Sequence, residues 1–443
     1  MILVDYSGSI FAAISVELNR NMGLKTDIDF LRHLVLRQLK SYYRKFHDDY
    51  GEMVVCLDCR TGNWRKDLFP AYKHQRKQKR IDSGVDCPEG VRACAELVAE
   101  KLRPLGFDVE LIESEPVQLL ATRPCAEAKK ILLSGHLDTV FFKGEAAKRP
   151  FRIEDGIAYG PGVLDMKSGI AVLVYAVKAL VENGWDKTDL TIFIVGDEET
   201  NHPTTNAVEN FKRVAQGQDA CFNFELGRAN GSVVIGRKGR WAPELQIKGI
   251  AAHAGNEPEK GASAITELAK KIADLADVND YASGTSCNVG VISGGTLANV
   301  VAEYAEAKLD IRYTTMAEAA KAVEKVKAIV AKSYDERTVT ELVEAGPHVY
   351  TPPMETTEGV KQLYRFVKAQ AEKLGQAELG AMIVGGSADA NYVCAEGVPT
   401  LCSMGPAGVG PHSNNEYVFV KSFVERAQLT AMAIMHLDEM ENY

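Results

Sequence analysis

The stretch Lys130-Ile131-Leu132-Leu133-Ser134-Gly135-His136-Leu137-Asp138-Thr139-Val140 decides how this chain is read. Lys130 to Ser134 has the short apolar run of a buried strand, followed by a His and an Asp two residues apart. Alternation along an extended backbone puts both side chains on one face, so Asp138 can accept from one imidazole nitrogen while the other binds a metal. An isolated H-x-D pair more commonly marks a surface histidine beside a solvated aspartate. The flanking sequence supplies the context. A helix is expected after Asp86, as its cap, with Pro88 in the first turn and Val91, Cys94, Ala95, Val98 and Leu102 at helical spacing. Strands are expected at Phe107 to Ile112 and Leu190 to Val195, with a helix from Ser168 to Val181 between them. Strand and helix alternate as in an α/β sheet.

A separable segment, residues 239–344, reads as strand (Trp241 to Lys248), helix (Ala262 to Leu275), strand (Asn288 to Ile292), strand (Glu303 to Arg312), helix (Ala317 to Lys332) and strand (Thr338 to Val343). That is the βαββαβ, ferredoxin-like order. The α/β pattern resumes after it, so the expected organisation is a fragment at 1–80, a larger domain in two parts at 81–238 and 345–443, and a smaller domain inserted at 239–344.

Composition excludes several classes. The chain has 443 residues, too many for one ordinary domain, with 46% hydrophobic and 25% charged residues, the balance of a globular protein. The apolar stretch Gly169 to Val181 is interrupted by Lys178 and is shorter than the roughly 20 residues needed to span a bilayer, so no membrane association is expected. The start Met1-Ile2-Leu3-Val4-Asp5 lacks a basic n-region, and a cytoplasmic location is expected. Nine scattered cysteines suit free thiols, and the Cys56-x-x-Cys59 pair has no partners to complete a zinc site. Residues 1–80 hold 15 Lys+Arg against 9 Asp+Glu, and the remaining residues hold 36 against 51. A change of module near residue 80 is the simplest explanation.

Further candidate ligands are spread along the acidic part. Asp165 stands in the glycine-rich Gly160-Pro161-Gly162-Val163-Leu164-Asp165 turn before a helix, where a carboxylate can bridge two cations or simply face a helix dipole. Glu198 and Glu199 follow an apolar strand; adjacent side chains diverge, so one can bind metal while the other acts as a base. Glu225 ends the apolar run Phe222-Asn223-Phe224, where an unpaired carboxylate would be costly. His412 supplies a second imidazole. His136, Asp165, Glu199, Glu225 and His412 are thus expected ligands, with Glu198 free. Three carboxylates leave two divalent cations with a net positive charge that acidifies bound water.

From residue 82 onward these motifs resemble the zinc metallopeptidases of the glutamate carboxypeptidase, aminoacylase and succinyl-diaminopimelate desuccinylase group, most closely the glutamate carboxypeptidase branch. The resemblance implies two zinc ions per subunit: one on His136 and Glu225, the other on Glu199 and His412, with Asp165 bridging. It implies that Glu198 is the general base and acid, and that His253, in Ala251-Ala252-His253-Ala254-Gly255, stabilises the oxyanion. Asn299 and Arg312 match positions that hold the substrate carboxylate, and Gly385 and Gly386 a loop whose backbone approaches the substrate. The inserted domain becomes a dimerisation and lid domain, with His253 and Asn299 completing the partner's site in a homodimer. One departure stands out: where relatives often carry arginine in V-E-R-G-P, this chain has Val343-Glu344-Ala345-Gly346-Pro347.

The first eighty residues resemble the N-terminus of the flap endonuclease and phage 5'-to-3' exonuclease family. Asp5 and Asp58 would end two parallel strands flanking a helical stretch from Asp27 to Phe46, followed by a basic, aromatic run from Trp64 to Arg80. Two carboxylates are too few for a two-metal nuclease, so nucleic acid is not expected as a partner. The expected function is hydrolysis of an amide bond next to a carboxylate-bearing amino acid in a small peptide. The alternatives are an N-acyl-amino-acid deacylase, a metal-dependent 5'-to-3' nuclease and a ligand-binding scaffold without turnover.

Overall fold

The computed structural model describes residues 2–5, 53–56, 81–125, 128–344 and 349–443. It divides into two compact units at Arg80 and Ile81. In the first, Ile2–Asp5 pairs in parallel with Met53–Cys56, placing Asp5 opposite Cys56. Asp58, Cys59, the stretch from Asp27 to Phe46 and the basic run Trp64 to Arg80 lie outside the described residues, as do Ala345, Gly346 and Pro347.

The second unit is built on a six-stranded sheet in the order Thr400–Leu401, Ala220–Asn223, Lys129–His136, Thr188–Val195, Gln118–Arg123, Asp108–Ile112. The first four strands run parallel, and Gln118–Arg123 pairs antiparallel with its neighbour on either side. The central strands are continuously apolar because helices cover both faces. Ile131, Leu133, Ile192 and Ile194 pack on one face with Leu173 and Val177 of the helix Ser168–Glu182 and Leu429 and Ala433 of the helix Val420–Met435. Leu132, Phe193 and Val195 pack on the other with Phe211, Val214 and Val393. The carboxyl ends of the parallel strands therefore share one edge, the usual place for a ligand crevice in an open α/β sheet.

The ferredoxin-like order is present. Val339–Val343, Glu244–Lys248, Tyr304–Tyr313 and Ser286–Gly294 form an antiparallel sheet in that order, with the helices Ala264–Leu275 and Met316–Ala331. Ser286–Gly294 is an edge strand, and its Val291 and Ile292 are exposed.

Two local expectations are corrected. Asp86 does not cap the helix Pro88–Leu102: Cys87 occupies the cap without a side-chain bond, and Asp86 instead accepts the backbone N–H of Lys143 (2.9 Å). The expected strand Trp241 to Lys248 is two strands, Gly239–Trp241 and Glu244–Lys248. The break falls at Pro243, which has no N–H to give a ladder, while the Ala242 N–H bonds Val349 O (2.8 Å). The seven cysteines among the described side chains form no disulfide with one another. No helix among the described residues is long and apolar enough to cross a membrane.

Candidate metal centre

Five segments meet at the carboxyl edge of the parallel strands. His136 is the last residue of Lys129–His136, Glu198 and Glu199 begin three residues beyond Thr188–Val195, and Glu225 lies two beyond Ala220–Asn223. Asp165 comes from the irregular turn before the helix Ser168–Glu182. That helix can approach only because residue 169 is glycine: a Cβ there would lie 1.9 Å from Phe224 O. His412 arrives on a loop with φ 60°.

The side chains form a two-sided cluster. His136 Nε2 lies 3.2 Å from Asp165 Oδ1 and 3.3 Å from Glu225 Oε1. His412 Nε2 lies 3.2 Å from Asp165 Oδ2 and 3.2 Å from Glu199 Oε2. Asp165 thus turns one oxygen to each imidazole, as a bridging carboxylate must. Zinc bonds of about 2.0–2.2 Å in a tetrahedron put ligand atoms about 3.3–3.6 Å apart, close to these separations. The second oxygen of Glu199 is buried without a hydrogen-bond partner, an acceptor that a cation would satisfy. The donor set and its spacing fit a pair of zinc ions. A looser grouping, with ligand atoms within 4.8 Å, also admits Glu198 beside His136 and Glu225. Its contact to His136 Nε2 is 3.9 Å, so the shorter distances leave Glu198 outside the ligand set.

Electrostatics give the same account. Burial alone would lower the His136 pKa, but Asp138, Asp165 and Glu225 outweigh it and hold the imidazole well above its usual range. Asp165 and Glu199 push His412 up to about 10. Burial would raise Asp165, yet the two imidazoles hold it well below the ordinary carboxylate range. Such a cluster favours positive charge at its centre, whether carried by protons or by metal. Glu198 differs: burial drives its pKa well above that of a usual glutamate, with Glu225, Asp389 and Glu199 adding to the shift against His136. A carboxyl that takes up a proton readily suits a proton carrier.

Support comes from groups behind the cluster. Asp138 is fully buried; its Oδ1 lies 3.2 Å from His136 Nδ1, and its two oxygens accept the N–H groups of Glu198 (3.2 Å) and Glu199 (2.9 Å). It therefore orients both the imidazole and the Glu198–Glu199 turn. Glu416 accepts from the N–H groups of Gly162 (2.9 Å), Leu164 (2.7 Å) and Asp165 (2.9 Å), tying the His412 loop to the Asp165 turn. Buried Arg237 donates to Gly386 O (3.1 Å) and stands 4.0 Å from Glu225. Glu416 and Arg237 had no expected role, since the amides that Glu416 accepts from lie 251–254 residues away and the carbonyl that Arg237 donates to lies 149 away.

The remaining expected residues are placed differently. His253 and Asn299 are exposed neighbours on the inserted domain, where Ala254 N–H bonds Asn299 O (3.0 Å) and His253 Nδ1 accepts from Gly255 and Asn256. Among the described residues no ion pair or hydrogen bond joins either to the cluster. Arg312 is engaged by Asp310 (2.6 Å), which also accepts from Arg240 (2.8 Å). Gly385 and Gly386 are exposed, and a Cβ at Gly385 would meet nothing, so close packing within the chain does not require glycine there.

A sequence model described as peptidase family M20/M25/M40 matches residues 132–436. Carboxypeptidase G2 from Pseudomonas sp. (strain RS-16) is 29% identical over 373 residues, covering 82% of this chain and 88% of the relative. Succinyl-diaminopimelate desuccinylase from Dechloromonas aromatica is 29% identical over 343 residues, covering 74% and 88%. Among solved structures, aminopeptidase PepT from Bacillus cereus superposes with a TM-score of 0.65 at 24% identity, covering 77% of this chain and 92% of that one. The metallo-carboxypeptidase Sso-CP2 from Sulfolobus solfataricus gives 0.62 at 17% identity, covering 80% and 96%. These last two likenesses speak for the fold. None of these matches lends support to the nuclease alternative.

Proposed function

The chain belongs to peptidase family M20/M25/M40 and is a metal-dependent hydrolase of that family, and from this premise we propose that it is a two-zinc carboxypeptidase cleaving an amide bond next to a carboxylate-bearing amino acid. The observation that carries this reading is Asp165, whose two oxygens face His136 and His412 separately. His136 and Glu225 would hold one ion, Glu199 and His412 the other, with Asp165 between them. Bound zinc would polarise the scissile carbonyl and acidify the attacking water. Glu198 accepts that water's proton on its carboxylate as the carbonyl carbon is attacked, then returns it to the departing nitrogen. Asp138 fixes the His136 ring and the turn carrying Glu198. Arg237 holds the Gly386 carbonyl, and thereby the loop we assign to substrate approach.

In this reading residues 81–238 and 345–443 form the cytoplasmic enzyme's catalytic domain and residues 239–344 its lid. The exposed edge Ser286–Gly294 pairs with its copy in a homodimer, and His253 and Asn299 serve the partner's site. Arg312 and Asn299 bind the substrate carboxylate. Desuccinylases among the relatives support deacylation of N-acyl amino acids as the second reading. A panel of peptides and N-acyl amino acids, each with a free or amidated carboxylate, tests both. Turnover that requires the free carboxylate supports the proposal, and equal turnover of the amidated forms refutes it. Mixing Glu198→Gln chains with His253→Ala chains should restore activity after subunit exchange; no recovery would confine His253 to its own chain.

A further inference from the structure

Behind Glu198 lies a buried histidine that the mechanism above does not use. His202 is 2% exposed and follows Asn201 in a tight turn in which both residues have positive φ (54° and 60°). Left-handed backbone is uncommon for residues other than glycine, and two in succession are kept only where the surroundings over-determine them. Here the Asn201 N–H bonds Glu198 O (2.8 Å) and the His202 N–H bonds Asp197 O (2.9 Å), so the turn closes directly on the segment carrying Glu198 and Glu199.

The imidazole spans two carboxylates. Nδ1 lies 2.8 Å from Asp197 Oδ1, and Nε2 lies 2.7 Å from Asp389 Oδ1. Ionised carboxylates only accept, so with both carboxylates ionised both ring nitrogens donate and the ring is a cation. Burial would lower the His202 pKa, but Asp389 and Asp197 overrule it and hold it well above its usual range. Asp197 is fixed further by Thr205 Oγ1 (2.8 Å), and the ring packs beside Phe211 and Tyr392. Asp389 closes the Gly385-Gly386-Ser387-Ala388 loop. That loop is pinned at Gly386 by Arg237 and, three residues on, at Asp389 by His202. A simple stabilising ion pair could sit anywhere in the core. This one joins the turn bearing the proton carrier to the loop expected to meet substrate, across 187 residues of sequence.

We propose that His202 is a positioning residue that holds the Glu198–Glu199 turn in register with the Gly385–Asp389 loop through its paired bonds to Asp197 and Asp389. The proposal rests on the reading of Glu198 and that loop as parts of one active site. Registration matters because a misplacement of about 1 Å between base and substrate can cost on the order of a hundredfold in rate.

The test uses the full chain loaded with zinc. His202→Asn places an amide near the Nδ1 position, keeping Asp197 and losing the bridge to Asp389; His202→Gln reaches the Asp389 side and loses Asp197. Both are expected to lower kcat per metal-loaded site at least tenfold with metal content unchanged. Asp389→Asn should do the same, and the His202→Asn, Asp389→Asn double variant should lose no more than His202→Asn alone. A kcat per loaded site within twofold of wild type in His202→Asn, or losses that multiply in the double variant, would overturn the proposal. A wild-type chain that turns over nothing in the substrate panel would point to failure of the functional reading. In that case the nitrogen resonances of the His202 ring decide: two protonated, strongly hydrogen-bonded nitrogens are expected, with Asp389→Asn perturbing chiefly Nε2. A singly protonated ring in wild type would overturn the bridge.

Discussion

Replacing Glu416 by alanine should damage the metal centre without touching a ligand. The Glu416 carboxylate accepts three backbone N–H groups, from Gly162, Leu164 and Asp165, and all three residues are buried. Each donor left unsatisfied costs about 1–3 kcal/mol. Water entering the space left by the side chain would recover part of that, so a loss of about 4 kcal/mol is expected for the set. Unfolding entropy of about 2.1 cal/mol/K per residue, over the compact unit Ile81–Tyr443, converts this to a fall in melting temperature of ~5 °C. Because the third donor belongs to Asp165 itself, its carboxylate should wander, and zinc affinity should fall about 10–100-fold. Glu416→Gln is the control: its remaining oxygen can still serve Leu164 and Asp165, while its amide would face the Gly162 N–H, so a smaller loss is expected. Thermal unfolding of the metal-free protein and zinc competition against a chromophoric chelator measure the two effects separately. A Glu416→Ala variant that melts within a degree of wild type and holds zinc equally well would refute the assigned tether.

Other consequences follow from the charges. The His412 pKa of about 10 and the raised His136 pKa favour protonated imidazoles in the metal-free protein, so zinc loading should release protons. Calorimetry in buffers of different ionisation enthalpy would read this, and no proton release would contradict the assignment of these imidazoles as ligands. The metal-free protein should also lose stability with rising pH. A folded pKa of about 10 for His412 lies above the usual histidine value, so its contribution is complete below pH ~6.5 and disappears as pH climbs towards 10. Chemical denaturation across that window should show the decline, reduced in His412→Ala; stability that rises with pH in both proteins would reverse the sign and the argument. The first unit should show no metal-dependent cleavage of flapped or nicked DNA; cleavage lost in an Asp5→Ala, Asp58→Ala variant would overturn that.

Much of the fold and of the candidate site was legible because it is local. Lys129–His136 is a strand whose last six residues are all buried, so apolarity alone marks it, and the two-residue spacing of His136 and Asp138 carries their shared face. The inserted domain was read from the periodicity of its elements, and its order is the one observed. What escaped depends on partners distant in sequence. Asp86 looks like a helix cap until Lys143 takes its carboxylate. Pro243 breaks a run whose apolar and polar residues otherwise alternate as in one strand. Glu416 and His202 could not be assigned because their roles come from backbone amides and carboxylates up to 254 residues away. His253 and Asn299, drawn from resemblance, have no ion pair or hydrogen bond to the cluster among the described residues of one chain.

Neighbouring glutamates divide the labour in the proposed mechanism, and Glu198→Gln measured beside Asp165→Ala tests that division most directly. Metal content and hydrolytic rate should be determined on the same preparations. Glu198→Gln is expected to retain nearly full zinc and lose turnover, because the residue carries a proton and does not hold the ions. Asp165→Ala is expected to lose zinc and activity together, because each imidazole depends on one of its oxygens. A Glu198→Gln protein that keeps most of its hydrolytic rate, or that loses its metal as Asp165→Ala does, would contradict the mechanism.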